Sequence, residues 1–384
     1  MKVVLVNKSD RTGGAAVACR RLQKALQKAG ADAKLLVQEK NDDDQTVKIT
    51  GTGFWKRKKN FLLFVLERFY FLFYEASKEI RFAFSPAIAG ENIYKNNLIK
   101  EADIIHIHWF NQGFLSLKNL KRLIALNKPI VWTLHDMWAF TGGCHYSGDC
   151  ENYMVSCGNC PFIKNPSEKD LSYKILKKKK TILKDANITF VTCSNWLKAK
   201  AKESSLLKDF IVVSIPNPID QKQFYPMDKK MIREKLSLPA DKKLILFAAA
   251  NISDKRKGLS YLLKALELVE KNNSIPTDLE IVTFGKSDDS VFNNLPFNVH
   301  NLGILSKTEK IAEAYNAADL FVLPSLEDNL PNTIMESLAC GTPVLAFKTG
   351  GIPEMIDHKK NGYLADYKSA EDLKKGLVFI LNHP

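Results

Sequence analysis

Apolar residues in this chain gather into short unbroken runs, and between the runs lie stretches whose apolar positions recur every three or four residues. The first pattern is that of parallel strands buried on both faces, the second that of helices packed on a sheet. Strands are predicted over Lys2–Val6, Ala33–Gln38, Ala102–His108, Ile130–Leu134, Ile188–Thr192 and Ile211–Ile215, and again over Leu244–Ala250, Leu279–Gly285 and Leu320–Leu323. Helices are predicted from about Ala15 to Ala29, over the basic run Lys174–Lys184, from Ser194 onward, after Gly258, up to Ala318, and from Pro331 to Cys340 with Gly341 as the stop. Alternating strands and helices give an α/β fold with parallel sheets. The proline-rich piece 216–226 divides the chain, so two doubly wound, Rossmann-like domains are expected: 1–215, then a hinge 216–226, then 227–384. No internal repeat is visible.

The stretch from Asp319 to Asp357 carries the most chemistry. It reads strand, loop, helix, strand, glycine turn, helix. Its loop, Pro324–Leu330, holds adjacent acids Glu327 and Asp328 and feeds a helix that carries Glu336 in its second turn. A helix N-terminus offers unpaired N–H groups and a positive dipole end, which suit a phosphate. An acid one turn further in can accept hydrogen bonds from sugar hydroxyls. Phosphate beside sugar describes a nucleotide sugar.

This stretch resembles the donor-binding signature of the retaining glycosyltransferases of family 4, on Pro324-Ser325, Asp328-Asn329-Leu330-Pro331, Glu336, Ala339-Cys340-Gly341-Thr342-Pro343-Val344 and Gly350-Gly351-Ile352-Pro353-Glu354. Two positions depart from that pattern: Asp328 stands where the first Glu is usual, unless Glu327 takes its place, and Asn329 replaces a glycine, a residue that still tolerates left-handed backbone. The resemblance implies a GT-B arrangement, two domains facing each other across a cleft, and transfer of a sugar from a nucleotide diphosphate to a bacterial glycan or lipid-linked acceptor with retention, in surface polysaccharide biosynthesis. It implies that Glu336 holds the ribose and that Asp328, with the backbone from Asn329 and Leu330 through Pro331, Asn332 and Thr333, holds the donor sugar. Lys257, with Arg256 or Lys255, would meet the diphosphate, and the base would stack near Gly303-Ile304. From the first domain, Gly13-Gly14 would face the phosphates, and His135 would reach the sugar or the acceptor with Asp136 as its orienting partner. The alternative for Gly13-Gly14 is a tight strand-to-helix turn, and for His135 a structural histidine; His106 and His108 are read as structural. Similar enzymes carry a further helix crossing back to the first domain, whose absence after Leu381-Asn382-His383-Pro384 is read as truncation.

Composition changes the picture at three points. The formal net charge of +14 calls for an anionic partner: phosphorylated substrate, lipid headgroups or nucleic acid. Second, the segment from Phe54 to Phe84 packs aromatic residues densely behind Lys56-Arg57-Lys58-Lys59, which fits either a helix lying in a membrane interface or a buried helix with a solvated basic end. No apolar stretch is long enough to span a bilayer and the N-terminus reads as a strand, so a cytoplasmic protein is expected, peripheral at the inner face of the cell membrane if that segment binds lipid. Third, four of the seven cysteines, Cys144, Cys150, Cys157 and Cys160, cluster in a loop ending in C-x2-C, which matches a structural zinc site in kind, with free or redox-active thiols as the alternative. The run WTLHDMWAFTGGCHY ahead of that loop resembles many bacterial members of the family. No cofactor is expected for catalysis, since no Asp-x-Asp motif is well placed for a divalent ion. An epimerase or hydrolase acting on nucleotide sugars is the second reading, and a zinc-stapled nucleic-acid-binding protein a remote third.

Overall fold

The computed structural model describes residues 1–271, 278–286, 289–292 and 295–382. His383 and Pro384, the last residues of the expected terminal segment, lie outside the described residues. The chain divides into two compact units, Met1–Pro218 and Ile219–Pro384.

The first unit is built on seven strands: β1 (Lys2–Ser9), β2 (Asp32–Glu39), β3 (Val47–Ile49), β4 (Ile104–Ile107), β5 (Ile130–Leu134), β6 (Ile188–Thr192) and β7 (Val212–Ser214). They form one sheet in the order β3-β2-β1-β4-β5-β6-β7, every pairing parallel. Helices α1 (Gly14–Lys28), α2 (Phe54–Leu72), α3 (Asn97–Glu101), α4 (Leu117–Ile124), α5 (Leu171–Leu183) and α6 (Asn195–Glu203) connect them. Alternation along β1 explains the two-sided core: Val3 and Leu5 pack with Cys19 of α1, whereas Val4 and Val6 pack with Leu36, Ile105 and Ile107.

The second unit continues with α7 (Lys229–Lys235), β8 (Lys243–Asn251), α8 (Leu259–Lys271), β9 (Leu279–Lys286), β10 (Val299–Asn301), α9 (Thr308–Ala317), β11 (Leu320–Leu323), α10 (Asn332–Ala339), β12 (Val344–Phe347), β13 (Gly362–Ala365) and α11 (Ala370–Asn382). Its six-stranded sheet runs β10-β9-β8-β11-β12-β13, again all parallel. Leu244, Leu246 and Ala248 of β8 face one core, Ile245 and Phe247 the other. Both sheets are thus doubly wound, as the sequence pattern predicts. The strand order reverses between β1 and β4 in the first unit and between β8 and β11 in the second, and the crevice beyond the carboxyl ends of such strands is where α/β sheets bind ligands.

Two expectations are corrected locally. The last helix foreseen in Asp319–Asp357 is only a single 3-10 turn, Ile352–Glu354, because Pro353 inside it supplies no N–H and two glycines precede it. The short strands β3, β10 and β13 have no counterpart among the predicted strands; Val47 is the only fully buried residue of β3.

Candidate active site

At the carboxyl edge of the second sheet, three loops lean on one another through bare backbone. The loop after β8 makes a 3-10 turn, Lys255–Lys257, started by Asp254, whose side chain accepts from the Arg256 amide at 3.0 Å and from its guanidinium at 2.8 Å. Gly258 ends the turn with φ +71°, and a Cβ placed there would lie 1.9 Å from the Pro324 carbonyl oxygen. Only glycine permits both that backbone and that approach. The Leu326 amide closes the joint by donating to the Arg256 carbonyl at 2.7 Å. On the far side Gly350, φ +56°, abuts the Asp328 carbonyl so closely that a Cβ would fall 1.7 Å from it. The Gly351 amide donates to the Asn329 carbonyl at 2.8 Å, and the Thr349 hydroxyl to Leu326 at 3.3 Å.

This clamp fixes the polar side chains. Lys257 Nζ donates to Asp328 Oδ2 at 2.7 Å, and Ser325 Oγ donates to the same oxygen at 3.4 Å. Lys257 and Asp328 therefore belong to one cluster, with Arg256 beside them and about half exposed. Asn329 and Leu330 are buried, and Asn329 is not among the residues with positive φ. The loop accommodates Asn in place of the family's glycine without entering the left-handed region. Pro331 is the N-cap of α10 and makes no side-chain capping bond of its own, and Asn332 and Thr333 open the helix at its positive end. Glu336, in the turn that follows, is buried at 6% exposure, and its Oε2 accepts from the Tyr315 hydroxyl of α9 at 3.3 Å. Tyr315 is a partner that nothing local in the sequence announces. Gly303, φ +68°, follows β10 and accepts from the Gly285 amide at 2.8 Å, leaving Ile304 exposed at 74%.

The first unit presents a second group at its carboxyl edge. Gly13, φ +88°, caps α1 with open space where a Cβ would stand, and Gly14 begins the helix; both are exposed. At the ends of β4 and β5, His108 Nδ1 and His135 Nε2 lie 3.0 Å apart. The rings of His106, His108 and His135 form a stack, with centroids 4.6 and 5.3 Å apart. Cys193 Sγ sits 3.8 Å from His135 Nδ1 and 3.1 Å from Asn217 Oδ1. Burial pulls the pKa of His135 down to about 4, against a smaller opposite pull from Asp136, so the ring is neutral at pH 7.

Asp136 is not the orienting partner of His135. Its carboxylate accepts from the Trp138 amide at 2.9 Å and the Trp109 indole at 3.1 Å, and pairs with His145 Nδ1 at 2.7 Å. Burial would raise its pKa, but His145 and the Trp138 amide outweigh burial and hold the carboxyl below the usual range. His145 Nε2 in turn meets Ser85 Oγ at 2.9 Å. The string Ser85–His145–Asp136 has the order of a hydrolytic triad, yet Ser85 is 0% exposed and no substrate can reach it. The string instead ties down the loop that begins at Asp136.

Cys144, Cys150, Cys157 and Cys160 line one pocket together with Phe84, Tyr153 and Ser172, and all four are free thiols. Burial pushes the Cys157 and Cys160 thiols up, to about 12 and about 11. Among the described residues, no three or more His, Cys, Asp or Glu side chains stand in a group that could hold a metal ion.

Comparison with known proteins agrees with this architecture. A curated relative, the putative colanic acid biosynthesis glycosyl transferase WcaC of Escherichia coli K12, is 27% identical over 268 residues, covering 66% of this chain and 62% of the relative. The chain thus spans less than two thirds of that relative's length. Among solved structures, sucrose-phosphate synthase from Thermosynechococcus elongatus is similar over 100% of this chain and 90% of its own, with TM-score 0.66 and 20% identity. HepE of Anabaena, solved in complex with UDP and glucose, is similar over the same shares with TM-score 0.63 and 15% identity. At such identities the likeness is one of fold, the two-domain GT-B fold. A model described as "Glycosyl transferases group 1" matches residues 242–383. Residues 12–223, more than half of the chain, match the model of Glycosyltransferase Family 4, and to that family the chain belongs.

Proposed function

We propose that the protein transfers a sugar from a nucleotide diphosphate sugar to a glycan or lipid-linked acceptor in surface polysaccharide biosynthesis, with retention of anomeric configuration. The observation that carries this reading is the Lys257–Asp328 cluster, held by Gly258 and Gly350 beside the N-terminus of α10. A cation and a helix N-terminus are the groups that stabilise a departing diphosphate. Lys257 moves from Asp328 to the phosphate when donor binds, which frees the Asp328 carboxylate to accept from sugar hydroxyls. Glu336, positioned by Tyr315, holds the ribose, and Ile304 offers an exposed apolar surface to the base. His135, neutral at pH 7, exchanges its long contact with Cys193 for one hydrogen bond at the sugar or the acceptor. The leaving phosphate takes the acceptor hydroxyl's proton on the face from which the acceptor attacks. UDP in HepE and the colanic acid pathway of WcaC set the donor and acceptor classes to try first. Neither an epimerase nor a hydrolase is favoured by the relatives, and a nucleic-acid-binding protein is not favoured by the family.

For the cysteine loop we propose a structural zinc, which requires the four side chains to turn inward about their shared pocket.

The test of the transferase reading is Glu336→Ala. Donor binding by calorimetry and transfer to an acceptor extract should both fall, with KM for the donor rising. Normal turnover by the folded variant would remove Glu336, and the site built around it, from the donor complex.

A further inference from the structure

α2 is built inside out. A helix packed on a protein normally turns its apolar side chains to the core and its charges to water. Here Glu67 and Arg68 are buried, while Phe61, Leu62, Val65, Leu66, Phe69 and Leu72 are exposed. Their spacing at three and four residues places those six on one stripe, which Phe73 continues past the helix end, 67% exposed.

The inner face prevents the helix from turning the stripe inward. Glu67 accepts from the Gly113 amide at 3.1 Å and from Arg68 at 3.0 Å, and Arg68 donates to the carbonyls of Phe84, at 3.1 Å, and Arg81. The Phe71 ring stacks on Phe84 at 4.6 Å between centroids. Gly113, φ +83°, approaches so near that a Cβ would lie 2.6 Å from the Phe64 amide nitrogen. Rotation would break this network and leave two buried charges without partners.

The charge pattern identifies what covers the stripe. At the start of α2, Arg57, Lys58 and Lys59 are exposed beside Phe54 and Trp55, with Lys58 Nζ 4.4 Å from the Phe54 ring centroid and 5.5 Å from that of Trp55. Aromatic rings with cations at one end of an apolar face suit the boundary between lipid headgroups and acyl chains. A second copy of this chain, itself at +14, would bring more positive charge to those cations, whereas an anionic surface neutralises them. Among the described residues no helix is long and apolar enough to cross a membrane, so what the stripe offers is attachment to one leaflet.

We propose that α2 seats the protein on an anionic lipid surface, its stripe from Phe61 to Phe73 immersed at the headgroup–acyl boundary and Arg57, Lys58 and Lys59 among the lipid phosphates. The proposal stands apart from the transferase reading, since attachment needs neither donor nor acceptor.

The test is sedimentation of the full chain with vesicles of phosphatidylcholine alone, or mixed in equal parts with phosphatidylglycerol. Binding should favour the mixed vesicles and weaken with salt. Replacing Arg57, Lys58 and Lys59 together by Gln should lower the partition constant on the order of a hundredfold. Phe61→Ser with Phe69→Ser should lower it at least as far, with unchanged circular dichroism and thermal unfolding, because both rings are exposed in the free protein. Three results would overturn the proposal: no sedimentation of the unaltered chain with either vesicle, full binding by the double serine variant, or a concentration-dependent dimer that the double variant abolishes while vesicles bind nothing. The last would assign the stripe to a second copy.

Discussion

Replacing Gly350 by Ala tests the site through geometry alone. The substitution adds one methyl group, removes no charge, and lies outside every side chain assigned to the donor. Its Cβ would fall 1.7 Å from the Asp328 carbonyl oxygen, so that carbonyl must retreat by about 1 Å or more. Asp328 carries the carboxylate that pairs with Lys257, and its neighbour Asn329 is tied to Gly351. The displacement therefore passes directly into the loop proposed to hold the donor. A misplacement of about 1 Å can cost on the order of a hundredfold in rate, and a comparable drop in kcat/KM is expected. The residue must also hold a left-handed backbone, φ +56°, which costs a non-glycine residue about 1–2 kcal/mol of stability. Gly30→Ala separates the two effects. Gly30 has φ +86° and nothing within 4 Å of where its new methyl would stand, so its variant should lose similar stability and keep its activity. Transfer kinetics from a matched donor, measured beside thermal unfolding of both variants, decide the matter. Full activity in a folded Gly350→Ala protein, or an equal loss in Gly30→Ala, would refute the reasoning.

Lys257→Ala should lower kcat by about a hundredfold or more while leaving the fold intact, because one donor to a developing anion is worth roughly 3 kcal/mol of barrier; steady-state kinetics at saturating donor check it. Asp319 accepts from Lys229 at 2.8 Å, Arg233 at 2.7 Å and the Leu244 amide at 2.8 Å. Burial would raise its pKa, but these partners outweigh burial and hold it below the ordinary 3.8. A depressed folded-state pKa contributes stability above the unfolded value and loses it as pH falls through the folded one. Asp319→Asn should therefore cost about 2 kcal/mol at pH 7 in denaturant unfolding, with the gap to the unaltered protein narrowing only below about pH 4. In the cysteine loop, metal analysis of protein purified without chelator should find one equivalent of zinc. Alkylation after chelation should reach half-buried Cys150 and Cys157 before buried Cys144 and Cys160; four freely reactive thiols with no metal would refute the zinc site.

How far the sequence could be read depended on how local the cause was. Leu320–Leu323 is a strand and Asn332–Ala339 a helix because periodicity, Pro331 and Gly341 all act within a few residues. The glycine positions were legible as a pattern, but their purpose was not: that Gly258 and Gly350 hold the same loop from opposite sides follows from how β8, β11 and β12 lie side by side. Asp136 follows His135 in sequence yet serves His145, because adjacent residues at a strand end point apart. Tyr315 reaches Glu336 across 21 positions, with no local sign of it. α2 could not be resolved from periodicity, since a helix with apolar residues around most of its circumference reads alike whichever side is buried. The bonds of Glu67 and Arg68, with the Phe71–Phe84 stack, tell inside from outside.

The contact between Gly258 and the loop it supports also bears on engineering. Since main chain rests on main chain there, the side chain at Thr333 can be exchanged without touching the contacts that seat the segment. A library aimed at altered donor preference should vary that position and leave Gly258 and Gly350 untouched, because a methyl at either one would shift every side chain downstream at once.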